Sequence, residues 1–325
     1  MHSILYLSQG PEGTGGHRHE RVFCETLAGE WNHCRDCFTE KRFTRVYKGI
    51  FGWIRLGFAA FSAAKNAECI VTTARLAWPV WFRIRLSRSR MIVILHNYDP
   101  KDGKPGLYHF LLRKFVKTAA AYPDRMRIVC VSKYWQNVFE KIADKPFKPV
   151  VFPNLFVTEK YLFYRNIVKK NPRLIHLGMW SEKLDIKACY LLVNALTERG
   201  YVPYFSTPDS GVKCDFPLSY FATHEAYLKQ MALSNCTIVA NSVNEGWNRV
   251  VHESFLVGTQ VLAMGGAGME ELVKTANGCW CHSVDEILNA VEHIQTREIN
   301  AAALEIYNLR TAEKWSQPIV QWLKS

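Results

Sequence analysis

The chain has little that would carry it across a membrane. Its longest apolar stretch, GIFGWIRLGFAAF (49–61), is broken by Arg55 and is shorter than the roughly 20 residues a spanning helix needs. The opening MHSILYLSQGPEG has an apolar run too short for a secretion-signal core and passes into a glycine loop. No internal repeat and no low-complexity tract is visible, so a repeat architecture is excluded. Ten cysteines are scattered without a regular framework, which excludes a disulfide scaffold and reads as free thiols in a reducing compartment. Cys34 and Cys37, in CRDC, have a metal-like spacing, but no second pair lies near them and a zinc site needs four ligands. A folded cytoplasmic protein is the expectation.

The 325 residues, 48% hydrophobic and 22% charged, suit two domains that each bury a core. The net charge of +12 is uneven: residues 1–150 hold 25 Lys and Arg against 12 Asp and Glu, the remainder 16 against 17. The basic half should therefore face something anionic that the other half does not meet.

Short apolar, β-branched runs recur, each followed by helical periodicity: ILYLS (4–8), CIVTT (69–73), MIVIL (91–95), RIVCV (127–131) and PVVF (149–152), then RLIHL (173–177), VPYFS (202–206), CTIVA (236–240) and QVLAM (260–264). Buried parallel strands have this appearance, and their alternation with helices predicts an α/β fold of two doubly wound parallel-sheet, Rossmann-like domains. The pattern restarts after FPNLFVTEKYLFYRNIVKKNP (152–172), which reads as a linker. The predicted domains are 1–155 and 156–300. A C-terminal helix follows over 301–325, interrupted near Pro318 and packing back towards the first domain. Two such domains face to face would leave a cleft at the carboxyl ends of their strands, where ligands bind in this fold class.

The segment CTIVANSVNEGWNRVVHESFLVGTQVLAMGGAGMEELV (236–273) reads strand, loop, helix, strand, glycine turn, helix. A helix starting near Trp247 would place a stripe of Val250, Val251, Ser254, Phe255 and Val257 against the sheet. Its free N–H groups and positive dipole end suit a diphosphate. Glu245 lies just before that start. Glu253 lies two turns in, where a carboxylate can accept from two adjacent ribose hydroxyls. Taken singly, the two acids are also what a helix-start charge and a solvated helix glutamate look like.

This strand–E-G-aromatic–x5–E–apolar–G-T–strand–GG.G..EL pattern resembles the donor-site signature of the family 4 retaining glycosyltransferases, whose fold is the two-domain GT-B architecture. Weaker agreements extend over most of the chain: GTGGH (13–17), ILHNYD (94–99), VCVSKYW (129–135), VFPN (151–154) and HLGMWSEKLD (176–185). The resemblance implies a hexosyltransferase-type enzyme that uses a nucleotide-sugar donor and a glycan or glycolipid acceptor. Glu245 would contact the donor sugar and Lys183 would neutralise the leaving diphosphate. His96 would sit near the reacting carbon. Gly178, Gly246, Trp247, Asn248 and Arg249 would line the donor site with Glu253, and Gly15, Gly16 and His17 the acceptor-side loop. No Asp-x-Asp occurs, so no metal-held diphosphate and no cofactor are expected. The family's arginine after the glycine is Met179 here, and Arg249 is the residue placed to supply that charge.

In the basic half, Phe43, Val46, Tyr47, Ile50, Phe51, Ile54, Phe58 and Phe61 share one face of a helical wheel, opposite Lys41, Arg45, Lys48 and Arg55. WPVWFRIRLSRSR (78–90) and LLRKFVK (111–117) repeat the mixture. An ordinary helix packed by its apolar face fits this pattern, and so does contact with an anionic membrane surface from the cytoplasmic side. Nucleic acid is a less favoured partner for the same charges.

Overall fold

The computed structural model describes residues 3–8, 15–33, 38–43, 49–64, 67–99 and 106–325. The first glycine of GTGGH, the CRDC pair, and Arg45 and Lys48 lie outside them. The chain divides into a first unit of 1–155 with 310–325 and a second of 156–309.

The first unit runs β1 (Ile4–Ser8), α1 (Gly15–Asn32), β2 (Phe38–Arg42), α2 (Gly49–Ala63), β3 (Cys69–Thr73), α3 (Ala77–Arg85), β4 (Arg90–Leu95), α4 (Gly106–Ala121), β5 (Met126–Cys130), α5 (Lys133–Ala143) and β6 (Val150–Val151). The second runs α6 (Glu159–Ile167), β7 (Asn171–Met179), α7 (Ile186–Glu198), β8 (Val202–Thr207), β9 (Leu218–Tyr220), α8 (His224–Leu233), β10 (Ser234–Ala240), α9 (Arg249–Leu256), β11 (Gln260–Met264), α10 (Gly268–Thr275), β12 (Cys279–Trp280), α11 (Val284–Val291) and α12 (Ala301–Leu304); α13 (Ala312–Lys324) returns to the first.

Each unit holds a six-stranded parallel sheet, in the orders β2-β1-β3-β4-β5-β6 and β12-β11-β10-β7-β8-β9. Every residue of β1 and β10 is buried, as strands covered by helices on both faces must be. Helix starts are set by local chemistry: Ser132, Asp185, Thr223 and Ser283 each accept the N–H three residues on, opening α5, α7, α8 and α11. The fold is thus α/β with two Rossmann-like sheets, as the strand-helix alternation predicts.

Three sequence readings differ from the structure. The stretch 152–172 is not a bare connection, because it contains α6, whose Tyr161 is buried with Phe156 against α8 and α9. The C-terminal break falls before Pro318. Phe156 N–H donates to Tyr307 O at 3.0 Å and Leu309 N–H to Phe156 O at 2.7 Å, and here the α-helix gives way to two short 3-10 turns, Glu305–Tyr307 and Leu309–Thr311. Pro318 itself lies inside α13. Helix α2 begins only at Gly49, and Phe43 follows β2. The buried residues of α2 include Leu56 and Ala60, while Phe51, Ile54 and Phe58 are exposed beside Arg55. Helix α2 meets α3 at Gly57, where a Cβ would stand 3.4 Å from Pro79, an ordinary contact distance. No helix among the described residues is long and apolar enough to cross a membrane.

Candidate functional site

In the second sheet the order of strands reverses between β7 and β10, and loops leaving a sheet at such a point diverge to form a ligand crevice. The two loops here are stitched to each other. Asp185 N–H donates to Ala240 O and Ser242 N–H to Lys183 O, both at 2.9 Å, and Leu184 bridges Asn241. The stitching brings together two residues 62 positions apart, with the Lys183 ammonium 3.2 Å from the Glu245 carboxylate. Lys183 is exposed and Glu245 buried, where Asn241 Nδ2 also donates to it at 3.4 Å.

The glycine turn fixes Glu245 through its backbone. Gly268 N–H donates to Glu245 O at 3.0 Å, and Glu245 pairs with Ala267 as a parallel bridge. A Cβ on Gly266 would stand 2.1 Å from Asn244 Oδ1, so a larger residue there must displace the Asn244 side chain. Ala267 sits at φ 66°, ψ −130°, a backbone region that L side chains resist. The strain exceeds the chain entropy a glycine would add, so Ala267→Gly should stabilise the protein by about 1 kcal/mol. A urea midpoint that stays put or falls would show that no strain is stored at this turn.

Helix α9 starts at Arg249, two residues beyond the start its apolar stripe suggests, because Asn248 caps it by accepting Val251 N–H at 3.0 Å. His252 N–H returns to Asn248 O. The N–H groups of Arg249 and Val250 are then the first-turn donors with no partner among the described residues. Gly246 lies buried in the approach to this turn. Trp247 is packed inward, edge-on to Tyr307 at 4.8 Å, and its Nε1–H donates to His252 Nδ1 at 3.3 Å.

Glu253 is buried and receives three neighbours on one oxygen: Arg249 at 3.2 Å, Tyr161 at 3.4 Å and His224 at 3.4 Å all reach Oε1. Its Oε2 has no protein partner among the described residues. Arg249 is further held with its guanidinium 4.5 Å from the centre of the Phe156 ring. On the β7 side, Gly178 has φ 80°, which lets the strand turn outward, and Met179 is partly exposed after it.

The residues predicted for the first unit also cluster. His96, following β4, lies 2.7 Å from Glu20 of α1, and a Cβ on Gly16 would lie 3.6 Å from the His96 ring. Tyr6 of β1 donates to the other Glu20 oxygen. Burial pushes the Glu20 carboxyl up, but the bonds from His96 and Tyr6 outweigh it and hold it below the usual carboxylate value. His17, two residues after Gly15 opens α1, lies 3.0 Å from Glu40, which also accepts from Ser8 at 2.8 Å and from Arg42 at 3.1 Å. His96 is the more exposed partner of Glu20, so Glu20 and Tyr6 orient an imidazole that can meet a ligand.

Sequence reasoning missed Glu20, Tyr6 and Glu40 in this cluster, and Tyr161 and His224 beside Glu253. The HRHE spacing carried one signal, since His17 and Glu20 are three apart at a helix start. Tyr161 was hidden by the reading of its segment as a linker. Among the described residues no group of three or more His, Cys, Asp or Glu is placed to hold a metal ion.

A six-stranded parallel Rossmann-like sheet in each unit is the α/β architecture of the GT-B fold. Comparison with solved structures agrees on the fold. HepE of Anabaena, solved with UDP and glucose, superposes with a TM-score of 0.68 at 16% identity, over 99% of this chain and 100% of that one. A glycosyltransferase from Rickettsia africae gives 0.71 at 14%, over 100% and 99%. Sucrose-phosphate synthase from Thermosynechococcus elongatus gives 0.67 at 13%, over 99% and 94%. No family model matches the sequence, and no curated protein matches it. At such identities the likeness is one of fold, and the chemistry must be argued from the side chains.

Proposed function

We propose that the protein is a retaining, metal-independent glycosyltransferase that moves a sugar from a nucleotide diphosphate donor to an acceptor hydroxyl. The observation that carries this reading is the pairing of Lys183 with Glu245 at the strand-order reversal, beside the start of α9. In this reading the donor diphosphate takes the place opposite Lys183 and the N–H groups of Arg249 and Val250, where positive charge meets the negative charge that grows as the bond to the sugar breaks. Glu245 is drawn to the hydroxyls of the sugar, and the Glu253 Oε2 accepts from the ribose. By the resemblance of ILHNYD, His96, held by Glu20 at 2.7 Å, is the residue of the first unit to test for a part in the transfer. The retained configuration and the absence of a metal rest on the resemblance of the Glu245–Glu253 segment and on the missing Asp-x-Asp. The fold neighbour solved with UDP-glucose makes uridine donors the first to try.

The acceptor in this reading is a lipid-linked or cell-surface glycan bound by the basic first unit. Screening nucleotide sugars for thermal stabilisation tests the donor site directly. A true donor at a hundred times its Kd should add about 2.7 kcal/mol of stability, and it should release nucleotide in the presence of a chelator. If no nucleotide sugar raises the melting point, the reading fails. Stabilisation without release under any acceptor would leave a binding protein instead.

A further inference from the structure

Helices α2, α3 and α4 each bury apolar residues on one side and expose further large apolar residues on the other. On α2 the side chains of Phe51 and Phe58 are 77% and 72% exposed, values that leave almost the whole ring in solvent. On α3 and the turn after it, Phe82 and Leu86 project outward, and on α4 so do Leu107 and Phe110. The three helices lie side by side. The Arg83 guanidinium is 5.5 Å from the centre of the Phe61 ring, and Trp78 Nε1–H donates to Leu111 O at 3.1 Å while its ring meets Phe115 edge-on. Their outward side chains therefore belong to one face of the first unit.

That face is dominated by positive charge, with Asp144, 3.7 Å from Lys117 of α4, as a neighbouring acid. Arg55, Arg85, Arg113 and Lys114 are exposed on it, and no Asp or Glu occurs in 49–63, 77–90 or 106–121. The bases are interleaved with the rings and aliphatic groups, as on a surface that rests its apolar groups at the acyl boundary and its charges among headgroups. We propose that the outer face of α2, α3 and α4 docks on an anionic lipid membrane. A second copy of the chain would set like charges against each other. Nucleic acid would use the arginines but leaves Ile54, Leu86 and Leu107 without a role, since aliphatic groups neither stack on bases nor bond to their edges. This inference stands apart from the donor-site reading, because every residue in it lies in the first unit and none belongs to the donor site.

The test is sedimentation of the full chain with vesicles of phosphatidylcholine alone and of phosphatidylcholine mixed with phosphatidylglycerol. With each surface base worth about fivefold in partitioning, the mixed vesicles should bind more than about a hundredfold better, and salt should erase the difference. Phe58→Ser and Leu107→Ser should each weaken binding about tenfold, and the pair Arg55→Gln with Arg113→Gln about 25-fold. These side chains are exposed, so each variant should melt with the parent and keep its stabilisation by nucleotide sugar. Equal binding to both vesicles, or to neither, overturns the proposal. So does displacement from the mixed vesicles by duplex DNA, or a dimer that Phe58→Ser breaks while vesicle binding persists. A failed vesicle result with stabilisation by nucleotide sugar intact would leave the donor reading standing, and the reverse result would leave the membrane face standing.

Discussion

Between pH 6.5 and pH 3 the second unit should lose stability at about 2.7 kcal/mol per pH unit, from two buried histidines. His176 of β7 is fully buried between Thr237, at 3.2 Å, and Ser206, at 3.0 Å, and stacks on Tyr204. Burial lowers it to about 3. His252 of α9 is enclosed by Phe156, Trp247 and Tyr307; burial, reinforced by the charge of Arg249, lowers it to about 3 as well. Both are neutral in the native state. The unfolded chain takes up a proton at each once the pH falls below about 6.5, and the native fold does not until about 3. Their stability is therefore whole above pH 6.5 and is lost progressively as the pH drops through that window, reaching about 4 kcal/mol by pH 5. Urea unfolding at pH 7.5, 6 and 5 measures it. His176→Gln, which keeps hydrogen-bonding capacity but cannot titrate, should halve the slope. A slope that is flat in the parent, or unchanged in the variant, would show that these rings titrate as they do in water.

On the proposed donor reading, Lys183→Ala is expected to lower turnover by roughly 10²–10³-fold while leaving the melting point within a degree or so of the parent, because it would take a positive charge from beside the leaving diphosphate and nothing from the core. Lys183 is exposed apart from its contact with Glu245, so its loss removes no packing. The neighbouring case is different. Arg249 binds Glu253 and covers Phe156, so Arg249→Ala will cost stability as well as donor contact. Its share of the diphosphate charge must be read from nucleotide affinity at a temperature where both proteins are folded. With Met179 where the glycosyltransferases that the segment resembles carry arginine, Arg249 is expected on the proposed reading to make up the charge, and the variant should bind nucleotide diphosphate more weakly. If Arg249→Ala bound and turned over donor like the parent while Lys183→Ala did not, Lys183 would act without it.

Part of this architecture was open to inspection in the residues. The nine apolar runs became strands because a parallel strand covered on both faces needs continuous hydrophobicity, which no loop imitates. The three strands that escaped notice, β2, β9 and β12, all lie at sheet edges. FTEKR of β2 alternates between half-buried and exposed, and CW of β12 is two residues long. An edge strand is held by its backbone bonds, and those leave little trace in side-chain type.

The acid pair around Gly-Trp-Asn, the glycine turn and the lysine after Met179 were likewise fixed by residue order, since a helix start, a turn and their charges are local affairs. Only the tertiary structure decided that Lys183 meets Glu245, that Tyr161 and His224 reach Glu253, and that Glu20 holds His96. Each joins elements that are distant in the chain and neighbours only through strand order. It also decided which way α2 faces. Within 49–63 that helix keeps Arg55 as its single charge, because Lys41, Arg45 and Lys48 precede it, so it offers no polar side to choose by. The side that buries Leu56 and Ala60 left Phe51 and Phe58 facing outward.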